Sequence, residues 1–249
     1  MSDDQSCCYV CGTTTRARPV GGSMMLVCPE CGFGCMHAGV QTPDYWDRSD
    51  GSGSGVAGPY WTEARHGLFR GALSLLESTA GKGRILDLGG GVGHFAEVAL
   101  SAGWDAYSLD VSDVAVAAAA DRIGEARSLS TVPSNLVGTC DAVTLWCVIA
   151  HLEDPRTVLS DAVHALKPGG QLFLTTPNFR FQLGYAAALA RLGRPIDFSA
   201  HDHLLHFSAE ALDRTLKAVG VTNWRLAFVG VTEECVAEPR LARWLVPAK

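Results

Sequence analysis

No run of 18 apolar residues interrupts this 249-residue chain, and no apolar segment follows Met1. Neither a membrane span nor a secretory signal is therefore expected, and the expected setting is cytoplasmic. Basic residues are outnumbered: 20 Lys and Arg stand against 26 Asp and Glu, for a net charge of −6. Phosphate contacts need a basic face, so this balance argues against a nucleic-acid partner. Internal repeats are absent. Charged residues make up only 18% of the chain and hydrophobic ones 47%, enough for one sizeable α/β core with a small appendage. Cysteine is unevenly spread, with six of the nine falling in the first 35 residues. In a cytoplasmic chain such residues are more often ligands, nucleophiles or core than disulfides.

Two Cys-x-x-Cys units, Cys8–Cys11 and Cys28–Cys31, are separated by sixteen residues, and each is followed by glycine. A Cys-x-x-Cys turn presents two thiolates on one side, and the glycine permits the positive φ the knuckle needs. Two knuckles complete a tetrahedral Zn²⁺ shell, so Cys8, Cys11, Cys28 and Cys31 are the expected metal ligands. A redox dithiol pair or an iron site would use the same thiolates. The spacing resembles a zinc ribbon, with a short hairpin over Arg16–Val27 turning at Gly21-Gly22. Cys7 in place of Cys8 would lengthen the spacing. Cys35 and His37 read as structural, and Cys140 and Cys147 flank an expected buried strand and read as core. A module this small needs its metal to hold together. It could wall a substrate pocket, pair two chains, grip a carrier protein or bind RNA.

Farther along, Ile85–Leu88 reads as a buried strand, with Asp87 near its end. Gly89, Gly91 and Gly93 follow at a spacing of two, and Phe95–Leu100 reads as a helix. Glycines at a strand-to-helix turn let a ligand lie against bare backbone beside a helix N-terminus. Asp110 ends the next strand-like run, where a carboxylate can accept both hydroxyls of a ribose. The dinucleotide pattern Gly-x-Gly-x-x-Gly/Ala fails from Gly89, at His94, but succeeds from Gly91, at Ala96, so it does not decide the ligand. Asp87 does weigh: a carboxylate before the turn repels a pyrophosphate and suits a cationic amino-acid moiety. Strands and helices then alternate: strand 84–88, helix 93–102, strand 104–110, helix 112–122, a short strand near 124–128, strand 141–147, helix 155–166, strand 170–176, helix 208–219 and strand 222–229. The fold class is α/β, a Rossmann-like and mostly parallel sheet with helices on both faces, plus the N-terminal ribbon.

The order Asp87-x-Gly89-x-Gly91-x-Gly93, then Asp110, resembles the S-adenosylmethionine site of class I methyltransferases. The resemblance extends over residues 60–235. It takes in Cys140–Pro155 as a fourth strand and its loop, Leu166-Lys-Pro-Gly-Gly170 as the turn into a fifth strand, and His203–Ser208 as a closing segment. It implies cofactor contacts at Tyr60, Asp87, Gly89, Gly91, Gly93, Phe95, Asp110, Val111 and Trp146, with Arg65 a further candidate and an adenine contact somewhere in Glu125–Arg127. The chain departs from the pattern at Ala150, where relatives commonly carry Glu before the histidine. The expected division is a ribbon-like module over 1–45, a Gly/Ser-rich linker over 46–59 and the methyltransferase domain over 60–249, with a lid insertion at 179–207.

Transfer from a sulfonium mainly requires alignment and exclusion of water, with a base where the acceptor is oxygen or carbon. Histidine is the natural base near neutral pH. His151, after the fourth strand, and His203 are the candidate catalytic residues. His206 can act or cap the helix at Ser208, and His201 with Asp202 can join a second metal site. The Asn/Asp-Pro-Pro-Tyr/Phe run of methyltransferases acting on base amines and glutamine is missing. The expected function is methyl transfer from S-adenosylmethionine to a small-molecule or carrier-bound biosynthetic intermediate, with Zn²⁺ structural. The rivals are an rRNA or tRNA methyltransferase and a non-catalytic binding module on the same scaffold.

Overall fold

The computed structural model describes residues 6–20, 23–36, 63–194 and 203–227. Tyr60, Trp61, the linker 46–59, the Gly21-Gly22 turn, His37, His201 and Asp202 lie outside the described residues, as does the side chain of Arg65. The described residues form two compact units. A sheet unit comprises those within 43–146, 161–174 and 224–249, and a ribbon unit comprises those within 1–42, 147–160 and 175–223.

The sheet unit is built on β4 (Arg84–Leu88), β5 (Asp105–Leu109), β6 (Ser128–Leu129), β7 (Cys140–Trp146) and most of β8 (Leu166–Thr175), in the spatial order β6-β5-β4-β7-β8. The pairs β4–β5, β4–β7 and β5–β6 are parallel. Sequence order reverses on either side of β4, and ligands bind open α/β sheets beyond the strand C-termini at such a point. Ile85, Leu86, Ala142, Val143 and Leu145 are fully buried, as strands covered on both faces require. Helix α1 (Glu63–Ala80) and α2 (His94–Ser101) add Phe69, Leu73, Leu76, Phe95 and Ala99 to the same core. Helix α3 (Asp113–Ile123) opens at Ser112, whose Oγ accepts from Ala115 N at 3.1 Å.

Two expectations are corrected. Strand β8 begins at Leu166, four residues before the strand expected from 170. No strand forms at 222–227, where one was expected over 222–229. The short third strand is real, but only two residues long, after a 3₁₀ turn at Glu125–Arg127.

The ribbon unit carries an antiparallel sheet ordered β1-β2-β3-β9, from β1 (Arg16–Val20), β2 (Ser23–Val27), β3 (Gly34–Met36) and β9 (Leu205–His206). Its fourth strand therefore comes from about 170 residues farther along the chain. Helix α5 (Phe179–Arg191), capped by Asn178, packs Phe179 and Ala186 with Val20 and Met25. Helix α6 (Ala209–Ala218) is capped by Ser208, whose Oγ accepts from Ala211 N at 3.0 Å.

Candidate functional site

The glycine turn lies beyond the C-terminal end of β4. Gly89, Gly91 and Gly93 have φ of 70°, 53° and 82°, the left-handed region in which glycine is favoured. Gly93 also packs closely on α3: a Cβ there would lie 3.1 Å from that of Ala119. At Gly91 a Cβ would meet nothing within 4 Å, so the turn presents open backbone. Helix α2 starts at Gly93 without a side-chain cap, unlike α3, α5 and α6. An uncapped N-terminus favours a ligand carboxylate.

Asp110 faces this turn. Its Oδ2 accepts from Gly91 N at 2.8 Å and its Oδ1 from Ser112 N at 3.0 Å. The two backbone donors fix the Asp110 carboxylate at the rim of the glycine turn. Asp87 lies level with Ser108 on β5 and Thr144 on β7. It is 2% exposed and accepts from Thr144 Oγ1 at 2.7 Å. Burial, reinforced by the negative charge of Asp110 and opposed by the Thr144 hydrogen bond, pushes the Asp87 carboxyl up to about 8. The buried Ser108 Oγ has no hydrogen-bond partner among the described residues. The sequence reading passed over Ser108 and Thr144. Their signal was a hydroxyl in each neighbouring apolar strand, in register with Asp87.

The other expected cofactor contacts divide. Trp146, at the end of β7, sits in an aromatic cluster with Phe69, Phe95 and Phe173 at centroid distances of 4.7, 5.2 and 5.0 Å. Its Nε1 is buried without a partner among the described residues. Phe95 is 1% exposed, a member of the core beneath the turn, whereas Val111 stands 78% exposed beyond β5. Arg127, one of the adenine candidates, ion-pairs with Asp105 at 2.6 Å at the N-terminal end of β5. That end is opposite to the one where the turn lies.

In the ribbon unit, the ring centroids of His151 and His203 lie 4.7 Å apart. Leu205 N donates to Ala150 O at 2.9 Å and draws the two segments together. His206 is buried against Phe179, its Nδ1 3.3 Å from Gln182 Oε1. Cys147, read as core from the sequence, is only half-buried and has φ 60°. Its N donates to Thr175 O and Thr175 Oγ1, at 3.2 and 3.0 Å. A non-glycine residue in this conformation is a strained one, and nothing in the sequence marked it.

The four thiols of Cys8, Cys11, Cys28 and Cys31 converge, with all Sγ atoms within 4.8 Å of one another. Cys8–Cys31 and Cys11–Cys28 lie at 3.6 and 3.4 Å. Sulfurs at about 2.3 Å from a tetrahedral zinc are spaced about 3.8 Å apart, so the set fits that ion. The knuckles are copies of each other. Cys8 N and Cys28 N donate to Thr13 O and Phe33 O, and Gly12 N and Gly32 N to Cys8 O and Cys28 O, with both glycines at positive φ. Among the described residues no second group of three or more metal-ligating side chains was found, the histidines included.

A methyltransferase-domain family matches residues 60–226, which is most of the chain. Among curated proteins, the chain is 26% identical over 57% of its length to a ubiquinone biosynthesis O-methyltransferase of Aromatoleum aromaticum, covering 64% of that protein. It is 31% identical over 41% of its length to the same-named enzyme of Dechloromonas aromatica, covering 47% of it. The chain thus spans between about half and two thirds of the length of these relatives. Among solved structures, a SAM-dependent methyltransferase of Leishmania major aligns with a TM-score of 0.46 at 18% identity, over 62% of each chain. The matched stretch begins just ahead of α1 and runs through the glycine turn, Asp110 and the segment His203–Ser208, and on this match the chain belongs to the methyltransferase-domain family of class I.

Proposed function

We propose that this protein transfers a methyl group from S-adenosylmethionine to a hydroxyl of a small-molecule acceptor. The observation that carries the reading is the open turn at Gly91 beside a carboxylate, Asp110, fixed in place by two backbone donors. Asp110 would take the ribose hydroxyls, the uncapped start of α2 the carboxylate, and the Asp87 side the ammonium group. Trp146 and Phe95 support the turn from below, and Tyr60 and Val111 remain contact candidates. When bound, the cofactor supplies an electrophilic sulfonium methyl with a neutral thioether as leaving group. A hydroxyl acceptor must lose its proton as the new C–O bond forms, unlike an amine already unprotonated. Two adjacent imidazoles suit that need: His151 takes the proton and His203 orients it. His151 comes five residues after the end of β7 in the chain. The same-named relatives are O-methyltransferases of a biosynthetic route, which agrees with a hydroxyl acceptor. A carrier-bound acceptor is a narrower version of the same proposal. We further propose one structural Zn²⁺ on Cys8, Cys11, Cys28 and Cys31, and a cytoplasmic setting.

Calorimetry with S-adenosylmethionine and with NAD tests the cofactor reading; tight NAD binding or no S-adenosylmethionine binding ends it. A panel of catechols and aliphatic amines, followed by mass spectrometry, tests the acceptor. Methylated amines with untouched hydroxyls would reject it.

A further inference from the structure

The two cysteine knuckles grip two different segments of the ribbon unit, and each segment carries one histidine of the pair. The first knuckle holds the stretch just after His151. Arg156 Nη2 donates to Tyr9 O and Val10 O, the carbonyls between Cys8 and Cys11, at 2.5 and 2.9 Å. Its guanidinium also lies 4.6 Å over the Tyr9 ring. Tyr9 Oη donates to Asp154 and accepts from Arg156 N. The second knuckle holds the stretch just after His203. Ser208 Oγ donates to Cys31 O at 2.5 Å, Met36 N to Leu204 O at 3.0 Å, and Gly34 and Cys35 pair with His206 and Leu205. Phe33 stands edge-on to Phe207 at 5.3 Å.

From this arrangement we infer that the ribbon is the positioning frame of the histidine pair: joining the two knuckles at one metal sets the spacing of His151 and His203. The inference rests on the reading of the four thiols as a metal site and of the histidines as catalytic. Directly between the two segments, Leu205 N donates to Ala150 O, the one backbone bond joining them among the described residues. Apart from the joined knuckles, the two segments are held by a few hydrogen bonds, a short β pairing and the Phe33–Phe207 ring contact, so separating the knuckles loosens both segments, since so small a module depends on its metal. The positioning residues are Arg156 and Ser208, one for each knuckle.

The test compares protein as purified with protein stripped of metal by a chelator, and both with Gly34→Ala. A Cβ on Gly34 would lie 2.6 and 2.7 Å from ring atoms of Phe179 and 3.3 Å from Cβ of His206, wedging β3 from α5 and β9 with no thiol among its nearest neighbours. Hydrogen exchange is read for 148–157 and 203–208, with 84–88 in the sheet unit as reference, alongside zinc content, S-adenosylmethionine affinity and turnover. In the stripped protein, exchange over 203–208 and 148–157 rises at least about tenfold while 84–88 is unchanged, cofactor affinity stays within about twofold, and kcat falls without a shift in the cofactor's KM. In Gly34→Ala, exchange over 203–208 rises with zinc retained. Unchanged exchange over 203–208 in either preparation overturns the inference. Protein that never held metal rejects the metal reading by itself, and Gly34→Ala then decides the positioning. Raised exchange with full turnover leaves the positioning standing and removes the histidines from the chemistry.

Discussion

In the sheet unit, Asp87 is held by its place in the strands: Ser108 and Thr144 are level with it, and it is almost fully buried among them. In the ribbon unit, His151 and His203 lie outside the helices and strands, and the segments that follow them are held by discrete fastenings: an arginine on two carbonyls, a serine on a third, and four thiols at one point. A residue in a buried parallel strand is positioned by the whole core and yields only when the core does. A residue in a fastened turn can be released by undoing one fastening. The two units should therefore respond in opposite ways to the same classes of substitution.

The largest effect expected is on the fastened unit. Cys31→Ser removes one thiol from the proposed zinc site, and structural zinc contributes on the order of 10 kcal/mol to such small modules. Zinc per chain should fall from one to none, and turnover by more than about a hundredfold, with β4 and β5 still protected from exchange. Metal analysis with exchange mass spectrometry checks both halves, and a collapse of the sheet unit would erase the contrast. Next comes His151→Ala: a positioned base contributes about 10²–10⁴-fold, and cofactor affinity should not move. His203→Ala should cost less turnover on the proposed division of roles, in which His203 orients the proton acceptor and does not take the proton. Equal losses in the two single variants and in the double variant would mean that the pair acts as one unit.

The difference between the units also decided what could be read from the chain. The strand Arg84–Leu88, the glycine turn and Asp110 are local in sequence, and their structure follows from apolar runs, glycine spacing and helix starts within about 25 residues. The same holds for the two knuckles, whose ligands fit a four-residue pattern repeated once. What the sequence did not disclose is long-range: the pairing of β3 with β9, and the contact of Tyr9 with Asp154 and Arg156. No periodicity links residues so far apart. His151 and His203 could be named one at a time as residues of the right chemistry, but their adjacency depends on Leu205 bonding to Ala150. The strained Cys147 was equally hidden, since φ follows from the Thr175 contacts and not from the cysteine itself.

In the sheet unit, Asp110→Ala should weaken S-adenosylmethionine binding by about 10–100-fold, corresponding to roughly 1.5–3 kcal/mol for charge-assisted hydrogen bonds. The loss of its bond to Gly91 N would loosen the turn at the same time. Titration calorimetry reads the change, and an unaltered affinity would withdraw Asp110 from the cofactor site.

The smallest effect expected is also the sharpest discriminator, because it concerns a carboxyl whose shift is set first by burial. The carboxyl of Asp87 is raised from 3.8 to about 8. In the unfolded chain it ionises at its ordinary value, so between pH 4 and 8 the folded state holds a proton that the unfolded state has lost. Stability from this group therefore falls as pH rises across that window and levels off above it. Asp87→Asn keeps an oxygen to accept from Thr144 and carries no charge. The ligand-free variant should melt higher than the wild type by a margin that grows from pH 5 to pH 8, reaching about 2–8 °C. Its affinity for the cofactor should fall and be independent of pH, whereas that of the wild type should tighten toward pH 8 as Asp87 ionises to meet an ammonium group. Scanning calorimetry and binding isotherms at pH 5, 6.5 and 8 measure both trends. A constant melting difference across that range would mean that Asp87 is already ionised in the folded protein. The sheet unit would then also depend on a specific polar partner, and the contrast between burial and fastening would no longer separate the two halves of the molecule.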